Sequence, residues 1–449
     1  MKAKLIEGPV GPLLAKLTFP MIWGIFAMIA FNVADTFFVG QLGTLPLAAM
    51  SFTFPVVTIY GSFAMGLGVG ISSAVSIAIG KNQHQRASQI TTVGLMFAFI
   101  LGGIFILIGL LTIDPLFQLL GADEELLPQI RSYMEIWYPG MFFLLIPMVG
   151  NFAIRATGDT KSPGIMMVIA AIVNIVLDPL LIFGAFGIPG LGLVGAAWAT
   201  VGSRALTLIA ALWILGKREK LLVSPLIPIQ SFIHHCKEIL SVGIPACLTN
   251  MIVPLSVGIV TRLVAQYGPE AVAGFGVASR IESFTLIPLL ALSASIGPFV
   301  GQNWAAQKTH RLQEAFQLAY LFCLAWGVGM AILLAFTATP LTRAFDPDLL
   351  VIHSSTLYLK TVPISYGLLG ILFVTNASFN SSRRPLISSS LSILRVFVIY
   401  VPLALLLSHF FGLKGIYLAT TISSATSGCL AYFICRKLYP TYPPGPQSK

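Results

Sequence analysis

Apolar residues in this 449-residue chain arrive in blocks of twenty or more, each long enough to cross a hydrocarbon core of about 30 Å. Only 9% of the residues are charged and 56% are apolar, with a mean hydropathy of +0.89, whereas soluble domains carry about 25% charge. The chain therefore reads as an all-α, multi-pass membrane protein. Breaks of charge or turn chemistry separate about twelve spans: 14–39, 46–79, 88–112, 129–152, 163–184, 192–216, 232–266, 271–303, 312–338, 350–380, 385–409 and 414–435. Several exceed the length a helix needs, which implies tilt, kinks or projecting ends.

The sidedness of the basic residues orients these spans. One set of alternating loops carries eighteen Lys and Arg, and the other carries four, Arg131, Arg343, Lys360 and Lys414. Basic residues near span ends are retained inside, so both termini are expected in the cytoplasm and the chain in the cytoplasmic (inner) membrane. The formal charge of +10 is then accounted for by topology and anionic lipid, with no nucleic-acid partner. The five cysteines are odd in number and fall in spans or on the inner side, so no structural disulfide is expected. No metal, cofactor or catalytic residue set is expected either.

Twelve spans resolve into two sets of six when the chain is laid on itself at a shift of about 225 residues. Pro20 falls on Pro245, Gln41 and Gly43 on Gln266 and Gly268, Arg86 on Arg311, and Pro115 on Pro340, while GLVGAAWAT (192–200) echoes GLKGIYLAT (412–420). An even number of spans per copy makes the copies parallel, related by an axis along the membrane normal. The expected organisation is an N-terminal six-helix bundle (1–216), a basic, proline-bearing cytoplasmic linker (217–231), and a C-terminal six-helix bundle with a short tail (232–449).

Two acids stand out within the spans. Asp35 lies in the otherwise uncharged run Leu17 to Leu42, where a carboxylate costs roughly 3 kcal/mol to insert and marks a functional site by default. Asp178 follows Asn174 by four residues and so shares a helix face with it, at a depth like that of Asp35. Thr200 and Tyr138 are placed to hydrogen-bond into a cavity that both acids line. Glu282 and Arg280, two residues apart, do not share a face and are each expected to pair with another helix. Arg204, Arg262 and Arg395 are read as interface or interhelix groups.

The runs FPMIWGIFAMIAFNVADTFFVGQLG, LAAMSFTFP, RATGDTKSP (155–163) and NIVLDPLLIFG (174–184) together resemble the multidrug and toxic compound extrusion (MATE) family, in its DNA-damage-inducible F-like branch. That resemblance implies a monomeric secondary antiporter exporting lipophilic, often cationic drugs. It implies Asp35 as the proton-exchanging carboxylate, tuned by Asn174, Asp178, Thr200 and Tyr138. The segments 244–258 and 362–380 hold no acid, unlike the sodium-driven branch, which favours H+ as coupling ion with Na+ as the alternative. Helix one is expected to bend at Pro20, whose missing donor breaks the hydrogen-bond ladder. A lipid-linked precursor flippase of related fold is a further alternative. An intramembrane aspartyl protease is excluded, since neither Asp has the Gly-x-Gly-Asp setting.

Overall fold

The structure, a computed structural model, describes residues 3–185 and 187–439. These residues form sixteen α-helices, as they must where no lipid group can satisfy a free backbone amide. The first seven are α1 (Val10–Gly40), α2 (Thr44–Gly80), α3 (His84–Leu111), α4 (Ile113–Leu119), α5 (Leu127–Ala156), α6 (Lys161–Ile182) and α7 (Leu193–Trp213). The remainder are α8 (Ile229–Val264), α9 (Pro269–Thr285), α10 (Ile287–Ala305), α11 (Thr309–Arg343), α12 (Leu349–Thr361), α13 (Tyr366–Ser381), α14 (Pro385–Ile393), α15 (Val401–Phe411) and α16 (Leu413–Leu438). A two-residue antiparallel ribbon, Gly184–Ala185 against Ile188–Pro189, follows α6. Eleven of the helical stretches are long and apolar enough to cross a membrane, and a twelfth arises if α9 and α10 count as one span.

Spans that read as single helices in the sequence are interrupted where proline withdraws a donor. The eighth bends by 46° between α9 and α10, with Pro288 in the first turn of α10. The tenth passes through a 3₁₀ turn, Val362–Ser365, containing Pro363. The eleventh contains a π-helical stretch, Leu394–Tyr400, that ends two residues before Pro402, a local widening that accommodates the lost hydrogen bond.

The backbone carries the internal repeat as plainly as the side chains. Gly43 and Gly268 cap α2 and α9 at φ 112° and 104°, and Gly192 and Gly412 cap α7 and α16 at φ 57° and 58°. A side chain at these angles would be strained, so the matched glycines mark matched turns. Asn82 (φ 56°) and Gln307 (φ 57°) repeat the correspondence without glycine.

Contacts divide the chain into two compact units, one of Phe19–Cys247 and one of Ala3–Thr18 together with the chain from Leu248 onward. Both divisions fall inside helices, α1 and α8, and differ from the division drawn at 217–231 from sequence. The reason is close packing. A Cβ on Gly70 would stand 2.3 Å from the Ile239 carbonyl, and one on Gly66 would stand 2.6 Å from the Gly243 carbonyl, so glycines on α2 hold the first part of α8 against the first unit. In the second unit, Asn303 donates to the Leu5 carbonyl at 3.0 Å and Ser295 to the Leu17 carbonyl at 3.1 Å. Arg86 and Arg311, paired by the repeat, do corresponding work. Arg86 holds Glu238 of α8 at 3.0 Å, and Arg311 donates to Asn303 and to the carbonyls of Leu5, Glu7 and Gly8 ahead of α1.

Candidate functional site

The first unit contains a cavity of about 640 Å³ walled by α1, α2, α5 and α7, a size suited to a drug-sized ligand. Asp35 enters it from α1, with Asn32 one turn before it and Thr36 next to it also lining the wall. The residue is only 6% exposed, and its Oδ1 has no hydrogen-bond partner among the described residues. A carboxylate oxygen without a donor in such a place is costly, and the sequence expectation of a special role for Asp35 rests on that same cost.

Asp178 and Asn174 lie on α6, fully buried, and do not themselves line this cavity. The Asn174 amide donates to Asp178 Oδ1 at 3.4 Å, while Asp178 Oδ2 and Asn174 Oδ1 are unpartnered among the described residues. Asp35 and Asp178 lie within electrostatic reach of each other, and the Tyr133 hydroxyl lies within reach of both. Tyr133, on α5, lines the cavity. Thr200, on α7, lines it as well.

Tyr138 is a correction to the sequence reading. It is 1% exposed and absent from the cavity wall; its ring packs edge-on to Tyr60 with centroids 6.0 Å apart, and a Cβ on Gly109 would stand 2.3 Å from it. Tyr133 occupies the place expected of it. Arg204 meets another helix as expected, its Cζ 5.7 Å from the centre of the Phe31 ring on α1, and it also faces the cavity from α7. The signal was present: Arg204 follows Thr200 by four residues and so shares its face.

Pro20 sits within a helix that runs unbroken from Val10 to Gly40. A Cβ on Gly164 of α6 would stand 2.5 Å from the Pro20 carbonyl, and one on Gly24 would stand 3.1 Å from the Gly164 Cα. The two glycines therefore let α1 and α6 touch backbone to backbone beside the proline. In the second unit, Glu282 does pair across helices, accepting from the Tyr358 hydroxyl at 2.8 Å.

A duplicated bundle of membrane-crossing helices around a buried carboxylate is the architecture of a secondary transporter, not of an enzyme. The MatE family profile matches twice, over 20–180 and 245–406, at the same offset as the internal repeat, and the chain belongs to that family of MATE transporters. It is 37% identical to the FAD transporter of Shewanella oneidensis over 434 residues, 97% of this chain and 96% of that protein. It is 28% identical to the probable multidrug resistance protein YoeA of Bacillus subtilis, covering 87% and 86%. Among solved structures, it superposes on the Vibrio cholerae MATE transporter VcmN in the bent form with a TM-score of 0.90, at 29% identity, covering 96% of this chain and 97% of that one.

Proposed function

We propose that this MATE transporter is a proton-driven exporter of the cytoplasmic membrane, with both termini inside, whose cargo is a flavin nucleotide of the FAD kind. The observation that carries the coupling is the unpartnered Asp35 oxygen in the cavity, within reach of a second acid. Two neighbouring negative charges in low dielectric favour uptake of a proton. Neutralising the pair removes a reason for water to stay in the cavity. α1 then bends at Pro20, the cavity shrinks and the cargo is displaced outward; the bent form named for VcmN is consistent with such a movement. Support for the cargo comes from the Shewanella relative, which is alike over nearly the full length of both chains.

Export of lipophilic, often cationic drugs is the second reading, favoured by the aromatic and methionine lining of the cavity, including Met50, Met141 and Trp137. The deciding experiment uses proteoliposomes with an imposed pH gradient, loaded with FAD or with ethidium, with sodium present or absent. Wild type is expected to move FAD with a counterflow of protons, and Asp35→Asn to lose the proton flux. Proton flux retained in the Asn variant would remove Asp35 from the coupling step. FAD movement driven by sodium alone would replace the ion and leave the cargo.

A further inference from the structure

Arg204 is an intramembrane cation that the proton exchange proposed for Asp35 does not use. It projects from α7 into the cavity, with its Cζ 5.7 Å from the centre of the Phe31 ring on α1. Among the described residues no carboxylate stands in ion-pair range of it. An arginine at membrane depth costs roughly 2.5–3.5 kcal/mol on insertion scales, and its guanidinium does not escape the cost by losing a proton. A group of this kind is kept where an anion meets it. The guanidinium fork matches two oxygens of a phosphate at once, and the nearby Phe31 ring, 5.7 Å away at its centre, offers the guanidinium a cation–π contact.

The rest of the wall suits the other end of such a ligand. Phe31, Tyr133 and Trp137 come to the same cavity from α1 and α5, and flat aromatic faces favour offset or edge-on contact with a heteroaromatic ring. A lipophilic cation would gain from Asp35 and be repelled by Arg204, whereas a phosphate would gain from Arg204 and be repelled by Asp35 only while that acid is charged. A ligand with a ring at one end and a phosphate at the other satisfies both the aromatic wall and the guanidinium.

We infer that Arg204 is the anchor for the phosphate of the cargo and the residue that selects phosphorylated flavins over the uncharged ring system. The inference rests on the flavin reading and adds to it the group recognised and the side chain that recognises it.

The test compares FAD, FMN and riboflavin binding to the full-length protein in lipid nanodiscs, read by quenching of flavin fluorescence, for wild type, Arg204→Lys and Arg204→Gln. Wild type is expected to bind FMN and FAD at least about tenfold more tightly than riboflavin, as a charge-assisted bidentate contact allows. Arg204→Gln is expected to lose that preference while its riboflavin affinity changes less than about twofold, and Arg204→Lys to fall between, keeping the charge without the fork. Equal losses for all three flavins would make Arg204 a packing residue and overturn the inference. So would a wild type that has no preference for FMN over riboflavin, a result that needs no variant to fold. If wild type exports FAD and the Arg204 variants bind it unchanged, this inference falls and the flavin reading stands. If wild type neither binds nor exports any flavin while moving ethidium, the flavin reading falls and takes the inference with it.

Discussion

Tyr133 and Tyr138 are five residues apart on α5, which places them about 140° apart around the helix, and the difference decides what each does. Tyr133 faces the acids; Tyr138 is wedged between Tyr60 and Gly109. Tyr133→Phe is expected to slow proton-coupled export severalfold with little effect on stability, whereas Tyr138→Phe leaves transport near wild type. The measurement is initial proton flux in proteoliposomes beside a thermal melt, and a reversed pattern would return Tyr138 to the site. Asp35 was legible in the sequence because a charge within an apolar run announces its own cost. The choice between the two tyrosines was not, because both sit in an apolar span and only the neighbouring helices tell its faces apart. For Arg204 the spacing from Thr200 gave its face, but its lack of an acid partner was hidden, because an isolated arginine in a span has several explanations and the absence of an acid partner is a property of the folded chain.

At the scale of helices, glycines decide which surfaces meet. Gly164 faces the Pro20 carbonyl, a backbone atom that cannot rotate away, so Gly164→Ala is expected to destabilise the protein by about 1–3 kcal/mol, the usual range for overpacking. The same variant pushes α1 away beside its proline and should reduce export more than the melt alone explains. Gly61, whose Cβ would meet nothing within 4 Å, is the control, and Gly61→Ala should leave both readings unchanged. An unaltered melting temperature in Gly164→Ala would show that α1 and α6 do not pack backbone to backbone. The repeat itself was legible, down to Arg86 matching Arg311 and Gly43 matching Gly268, because duplicated turns keep their special residues. The compact unit in which each copy's leading segment packs was not legible. Hydropathy tells that α8 and the residues before α1 have buried faces, and two similar copies offer similar faces to bury them against.

For the whole molecule, the membrane potential distinguishes the candidate cargoes. One elementary charge moving through ~150 mV gains roughly 3.5 kcal/mol at ~2.3 kcal/mol per 100 mV. For a neutral substrate exchanged with one proton, this supports about a 300-fold gradient at ~1.4 kcal/mol per decade. On the proposal that FAD leaves with about two negative charges on its pyrophosphate, its outward movement runs with the inside-negative potential, and the electrical drive rises to roughly three times that of the neutral case. A cationic drug sends its charge the other way and, exchanged for one proton, feels almost no electrical drive. Proteoliposomes clamped with potassium and valinomycin at a series of potentials, at constant pH gradient, are therefore expected to export FAD with a logarithmic steady-state gradient about three times as steep in voltage as that of riboflavin, and ethidium with a slope near zero. Equal slopes for FAD and riboflavin would mean that the phosphates do not cross as free charge, and the cavity would then have to admit a cation along with the nucleotide beside Asp35 and Arg204.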